Sequence, residues 1–140
     1  MNTSQSRLAI FIPALYGGGA ERTMLKLAAG IAERGYPVDL VLARAQGPFL
    51  AEVPDSVRVI DLKTSRDLLS VLPLARYLRN EHPAALFSGL HTNVIAVWAK
   101  QLAGVSTRLV ISERNTFSQR VKHFSSDYRE RVMPFLVRNF

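Results

Sequence analysis

Apolar residues along the chain fall into two alternating kinds of block. Short, nearly continuous apolar runs such as "LAIFIPAL" at 8–15 and "VDLVLA" at 38–43 read as strands covered on both faces. Between them lie longer stretches with apolar positions every three or four residues, the spacing of an amphipathic helix. The pattern predicts a first strand over Arg7–Pro13. A helix over Ala20–Arg34 follows, carried by Met24, Leu25, Leu27, Ala28, Ile31 and Ala32 and stopped by Gly35. A second strand is expected at Val38–Ala43, a short turn or helical piece at Pro48–Val53, and an alternating strand at Val57–Leu62. Asp67–Asn80 has a helical pattern in Leu68, Leu69, Leu72, Ala75 and Leu78, but Pro73 either kinks this helix or sits in its first turn. A fourth strand at Ala84–Ser88 precedes a helix capped by Thr92 or Asn93 and ended by Gly104. A fifth strand covers Arg108–Ser112, and a last helical pattern spans Ser126–Asn139, with Pro134 near its end.

Strict alternation of strands and helices predicts an α/β fold with a mostly parallel sheet and helices on both faces. The chain has no internal repeat and no linker. In such sheets ligands bind outside the carboxyl ends of the strands. Residues 16–19, 89–93 and 113–117 therefore converge on one edge.

The first of these loops contains Gly17, Gly18 and Gly19. A strand-to-helix turn needs one glycine, at most two, for positive φ. Three at a helix N-terminus favour a ligand that approaches the backbone, and the free N–H groups there suit phosphate. The dinucleotide fingerprint is excluded: Arg22 stands where its third glycine would fall, and Asp39 lies inside the second strand rather than at its end. No G-K-[ST] follows, which excludes a Walker loop.

Composition narrows the class further. The 140 residues are 48% hydrophobic and 21% charged, as in a folded domain with a real core. No run approaches the roughly 18 apolar residues of a membrane helix, and Pro13 argues against a signal peptide. Without cysteine there are no disulfides or thiolate metal sites. The net charge of +7 suits anionic ligands or membranes. It is spread along the chain without an arginine tract or aromatic RNA signature, so nucleic acid is not expected as a partner.

"PALYGGGAERTMLKLAAGIAERGYPVDLVLA" resembles the opening of glycosyltransferase family 4, the retaining GT-B enzymes, and "SGLHTNVIA" and "VISERNTFS" are similar to later stretches of their sugar-transferring members. Tyr36 and Pro37 depart mildly from the family's turn after the first helix. The resemblance implies a Rossmann-like N-terminal, acceptor-side half of a two-domain enzyme. It also implies that residues 1–140 are incomplete at the C-terminus and lack the donor-binding domain. The whole enzyme would move a sugar, with retention, from a nucleotide-diphosphate sugar to a glycan or lipid-linked acceptor. The nucleotide sugar is a substrate, and no cofactor or metal is implied. Such enzymes serve cell-envelope polysaccharide synthesis in the cytoplasm, peripherally on the inner face of an anionic membrane.

On that resemblance Gly17, Gly18, Gly19, Glu21 and Arg22 border the donor diphosphate or acceptor. A carboxylate near a helix start is equally at home there for stability. His91 is the candidate catalytic residue, contacting acceptor or transferred sugar with Thr92 and Asn93 beside it. His82 and His123 lack the spacing to join it on a metal. Glu113, Arg114 and Asn115 form a polar wall for sugar hydroxyls or an anionic acceptor, or else a solvated loop with an internal ion pair. The tail 120–140 mixes arginine, lysine and aromatics; it reads as an amphipathic helix with a solvated basic face, with membrane contact as the rival reading. The competing function is a non-catalytic Rossmann-like module that binds a phosphorylated ligand or a protein partner. A response-regulator domain is disfavoured because the first strand lacks an acidic pair.

Overall fold

In a computed structural model, residues 6–113 are described. Five parallel strands, β1 (Leu8–Ile12), β2 (Val38–Leu42), β3 (Val57–Asp61), β4 (Ala85–Gly89) and β5 (Arg108–Ser112), form one sheet in the order β3-β2-β1-β4-β5. Three α-helices connect them: α1 (Gly19–Glu33), α2 (Val71–Glu81) and α3 (Asn93–Ala103). Short 3-10 turns stand at Pro48–Glu52, Asp67–Ser70 and Leu90–Thr92. The expected helix at 126–139 lies outside the described residues.

The chain moves from β1 outward to β3, then returns to β4 on the other side of β1. Because crossovers of this kind are right-handed, the change of direction moves the helices to the opposite face. Two cores result. Ile10 and Ile12 of β1 pack with Leu40 and Leu42 under Met24, Leu25 and Ala28 of α1. Ala9 and Phe11 face the other way, onto Leu74 and Leu78 of α2 and Ile95, Ala96 and Ala99 of α3. The central strand is therefore buried on both faces and cannot alternate. The edge strands keep polar or exposed positions such as Arg58, Val59, Val110 and Ile111.

Helix ends follow local chemistry. Gly35 and Gly104 adopt positive φ of 91° and 64° just after α1 and α3. His82 plays the same part after α2 in the left-handed conformation. Pro73 sits in the first turn of α2, so the pattern from Asp67 splits into a 3-10 turn and a helix rather than one kinked helix. Thr92 stands at the N-cap of α3, yet its hydroxyl donates to the Gly89 carbonyl at 2.7 Å and caps no helical N–H.

Candidate functional site at the carboxyl edge

The strand order places the loops after β1 and β4 side by side at the point where the connections reverse, the usual ligand crevice of such sheets. The glycine loop and the His91 turn therefore share this edge. Glu113, after β5, borders it, and the Asn93 amide donates to its carboxylate at 3.3 Å. Arg114 and Asn115 lie outside the described residues.

Within the glycine loop the three residues have different duties. Gly17 has φ of +125°, which strains any side chain. Gly18 is extended, with φ of −72°, and a side-chain Cβ there would meet nothing closer than Glu21 at 3.8 Å. At Gly19 a Cβ would meet nothing within 4 Å. The fold requires glycine only at the first position, which leaves the other two free of a packing explanation. The Glu21 carboxylate accepts hydrogen bonds from the N–H groups of Gly17 at 2.7 Å and Gly18 at 3.2 Å. It occupies the anion position at the loop and stabilises the helix start. Arg22 turns sideways onto the Pro48–Glu52 turn, 4.2 Å over the Phe49 ring and 3.7 Å from Glu52.

His91 is half exposed, and its Nε2 lies 2.5 Å from Asp67 Oδ2. Arg44 grips the other carboxylate oxygen, with Nη2 donating at 2.7 Å. Burial pushes the Asp67 carboxyl up, but His91 and Arg44 outweigh it and hold the group below the ordinary 3.8. Tyr16, after β1, donates to Gln46 after β2 at 3.0 Å. Thr92 is fully buried and faces inward.

Asp67, Arg44 and Gln46 were not anticipated as site residues, whereas Tyr16 belongs to the expected loop after β1. The signal was present: the three follow β3 and β2 at the same edge, and attention to the loops of β1, β4 and β5 alone passes over that side of the sheet. Two buried polar atoms here, Arg44 Nη1 and Asn93 Oδ1, have no hydrogen-bond partner. One donor and one acceptor are thus left at the carboxyl ends of β2 and β4. Among the described residues no cluster of three His, Asp or Glu side chains is arranged to hold a metal.

The glycosyl transferase 4-like domain family matches residues 18–140. The chain belongs to that family. Among solved structures, a glycosyltransferase from Rickettsia africae superposes with a TM-score of 0.57 at 14% identity, over 89% of this chain and 35% of that one. The glycosyl transferase 4-like chain thus spans about a third of that protein's length, and the likeness is one of fold. The C-terminal domain of a hydrogenase from Pyrococcus furiosus aligns over 80% of this chain and 93% of its own at 17% identity, with a TM-score of only 0.46. Among curated proteins, none matches.

Proposed function

We propose that the glycosyl transferase 4-like chain is the acceptor-side domain of a larger retaining glycosyltransferase. That enzyme transfers a sugar from a nucleotide-diphosphate sugar to a glycan or lipid-linked acceptor at the cytoplasmic side of a membrane. The family match supports sugar transfer. The carboxyl edge supports this face as one wall of the cleft, with a second, donor-binding domain as the other. The observation that carries the reading is the pair of uncommitted buried atoms, Arg44 Nη1 and Asn93 Oδ1, beside a glycine loop whose second and third residues the fold does not require.

In this reading Gly18 and Gly19 let substrate lie close to the backbone, and Asn93 Oδ1 accepts from a sugar hydroxyl. His91, held by Asp67, faces the reacting sugar. The protein positions the two substrates and stabilises charge, while the departing donor phosphate assists attack by the acceptor hydroxyl. In the full-length enzyme, His91→Ala should lower kcat/KM on the order of 100-fold. Gly18→Val should do so comparably, with the melting temperature of each variant unchanged. Residues 1–140 alone should transfer nothing, since one wall makes no cleft. Unaltered turnover in both variants would remove this edge from the reaction.

A further inference from the structure

The anion position of the glycine loop is filled from within the chain. Glu21 Oε2 accepts from the N–H groups of Gly17 and Gly18, at 2.7 and 3.2 Å. The Arg22 N–H donates to the Gly18 carbonyl at 3.0 Å. The loop's cation is committed as well, since the Arg22 guanidinium lies over Phe49 and beside Glu52. The other carboxylate oxygen of Glu21 is free. Oε1 stands 3.9 Å from where a Cβ of Gly18 would be, on the side the glycine leaves open, and has no hydrogen-bond partner among the described residues. Next to the loop, Tyr16 is 55% exposed while its hydroxyl is tied to Gln46 at 3.0 Å. An open aromatic ring with one end fixed therefore adjoins an open acceptor oxygen.

We infer that the glycine loop is a subsite for an uncharged sugar ring and excludes phosphate, with Glu21 as the residue that decides between them. Three glycines at a helix start suggest phosphate, and here the chain's own carboxylate has taken that place. A phosphate brings acceptor oxygens and needs donors; the N–H groups of Gly17 and Gly18 are spent, and Glu21 repels a second anion. A sugar hydroxyl brings a donor and needs an acceptor, which Oε1 supplies in a charge-assisted bond. The apolar C–H face of the ring is matched by Tyr16, a rigid amphipathic surface. Gly18 and Gly19 keep the approach clear. This rests on the assignment of the edge to the acceptor and narrows what lies here to a neutral, hydroxyl-bearing ring. Ligand titration requires no sugar transfer, so the acceptor assignment, tested by turnover in the full-length enzyme, fails separately.

The isotope-labelled chain is titrated with inorganic phosphate, with pyrophosphate, and with the methyl glycosides of glucose, mannose and N-acetylglucosamine, following the amide signals of Gly17, Gly18 and Gly19. Expected is movement with at least one glycoside and none with either phosphate. Glu21→Gln keeps the side chain's shape without its charge, and Glu21→Ala empties the position. Both should bind pyrophosphate at the loop at least about tenfold more tightly than the wild type. Glu52→Gln makes the same charge change beside Arg22 and should not. Tyr16→Ala should weaken glycoside binding about tenfold, while Tyr16→Phe, which keeps the ring, should retain most of it. Preserved amide dispersion checks that each variant is folded. Wild-type Gly17 and Gly18 signals moved by phosphate would overturn the inference. So would no response to any glycoside, no gain of pyrophosphate binding in either Glu21 variant, or an equal gain in Glu52→Gln.

Discussion

Asp39 and Asp67 are both carboxylates gripped by arginine, and they stand at opposite ends of one sheet. Asp39, near the start of β2, is fully buried. Arg58 donates to both of its oxygens at 2.9 and 2.7 Å, Arg7 adds a bond at 2.7 Å and the Tyr77 hydroxyl another at 2.6 Å. Glu81 backs Arg58 at 3.0 Å, so this amino-end cluster is closed. Asp67, beyond the carboxyl end of β3, holds one arginine and a half-exposed histidine, with an orphaned guanidinium nitrogen beside it. Equal charge chemistry thus gives two outcomes. A fully bonded buried network fixes strand register, as Asp39 and Arg58 are direct cross-strand partners. A network left incomplete beside solvent keeps groups ready for something else.

The sharpest way to break this contrast is Asp39→Asn. Removing the charge leaves two arginines and a tyrosine facing a poor acceptor at a buried position. The expected loss is about 3 kcal/mol, a fall in melting temperature of about 10 °C for a domain of this size. A loss no larger than that of an exposed aspartate would mean the amino-end cluster does not hold the sheet.

Next comes the support beneath the open end. Gly47 has φ of +109°, and a Cβ there would run into the Leu15 carbonyl. The Leu15 N–H donates to Gln46 O at 2.9 Å and Leu15 O accepts from the Phe49 N–H at 3.1 Å, clamping the loop after β2 onto that after β1. Gly47→Ala should therefore cost about 2 kcal/mol by strain and collision, read by urea unfolding. Gly19→Ala should cost nothing measurable. Equal costs would show that the open edge is soft throughout.

A smaller effect appears on titration. Burial raises the Asp39 carboxyl, but its bonds from Arg58, Tyr77 and Arg7 prevail and leave it below the ordinary 3.8. The folded state then binds fewer protons than the unfolded chain in acid. The contribution of Asp39 is complete above about pH 4 and is lost as pH falls through the lowered folded value. Tyr77 has the mirror behaviour: burial and then Asp39 raise its hydroxyl above 10.0, so stability is lost as pH climbs beyond that value. Melting curves of the wild type should fall at both extremes, and Asp39→Asn should flatten the acid limb. An unchanged acid limb in that variant would assign the titration to other carboxylates.

The chain's periodicity disclosed nearly all of the fold, because every strand but the edges is buried on two faces and each helix buries an apolar face against the sheet. β5 falls where the pattern puts it, and the other described strands and the α-helices within two or so residues, except for α2. There the split at Pro73 depended on which of two geometries the proline takes, and it takes the one in the first turn of α2. Thr64 and Ser70 hydroxyls meet at 3.0 Å under that turn. The site was legible only in part. His91 and the glycines announce themselves as residue types at loop positions. Asp67 and Arg44 do not, since an aspartate before a helix looks like an ordinary helix-start residue. Their 23-residue separation hides a contact that only the strand order creates.

The last test applies the comparison at its weaker end. Asp67 and Arg44 are each about one-fifth exposed, and their pair spans two loops rather than two strands. Partly exposed pairs contribute little, so Asp67→Asn should cost under about 1 kcal/mol, a shift of a few degrees at most in thermal unfolding. Its mark should instead be on His91. With the carboxylate gone, the imidazole loses the acceptor that orients it, and in full-length enzyme the pH–rate profile for transfer should change shape. Asp67→Glu, which keeps the charge, should restore part of it. A large stability loss with an unaltered profile would make Asp67 a second Asp39: a structural anchor placed at the end where the substrate was expected.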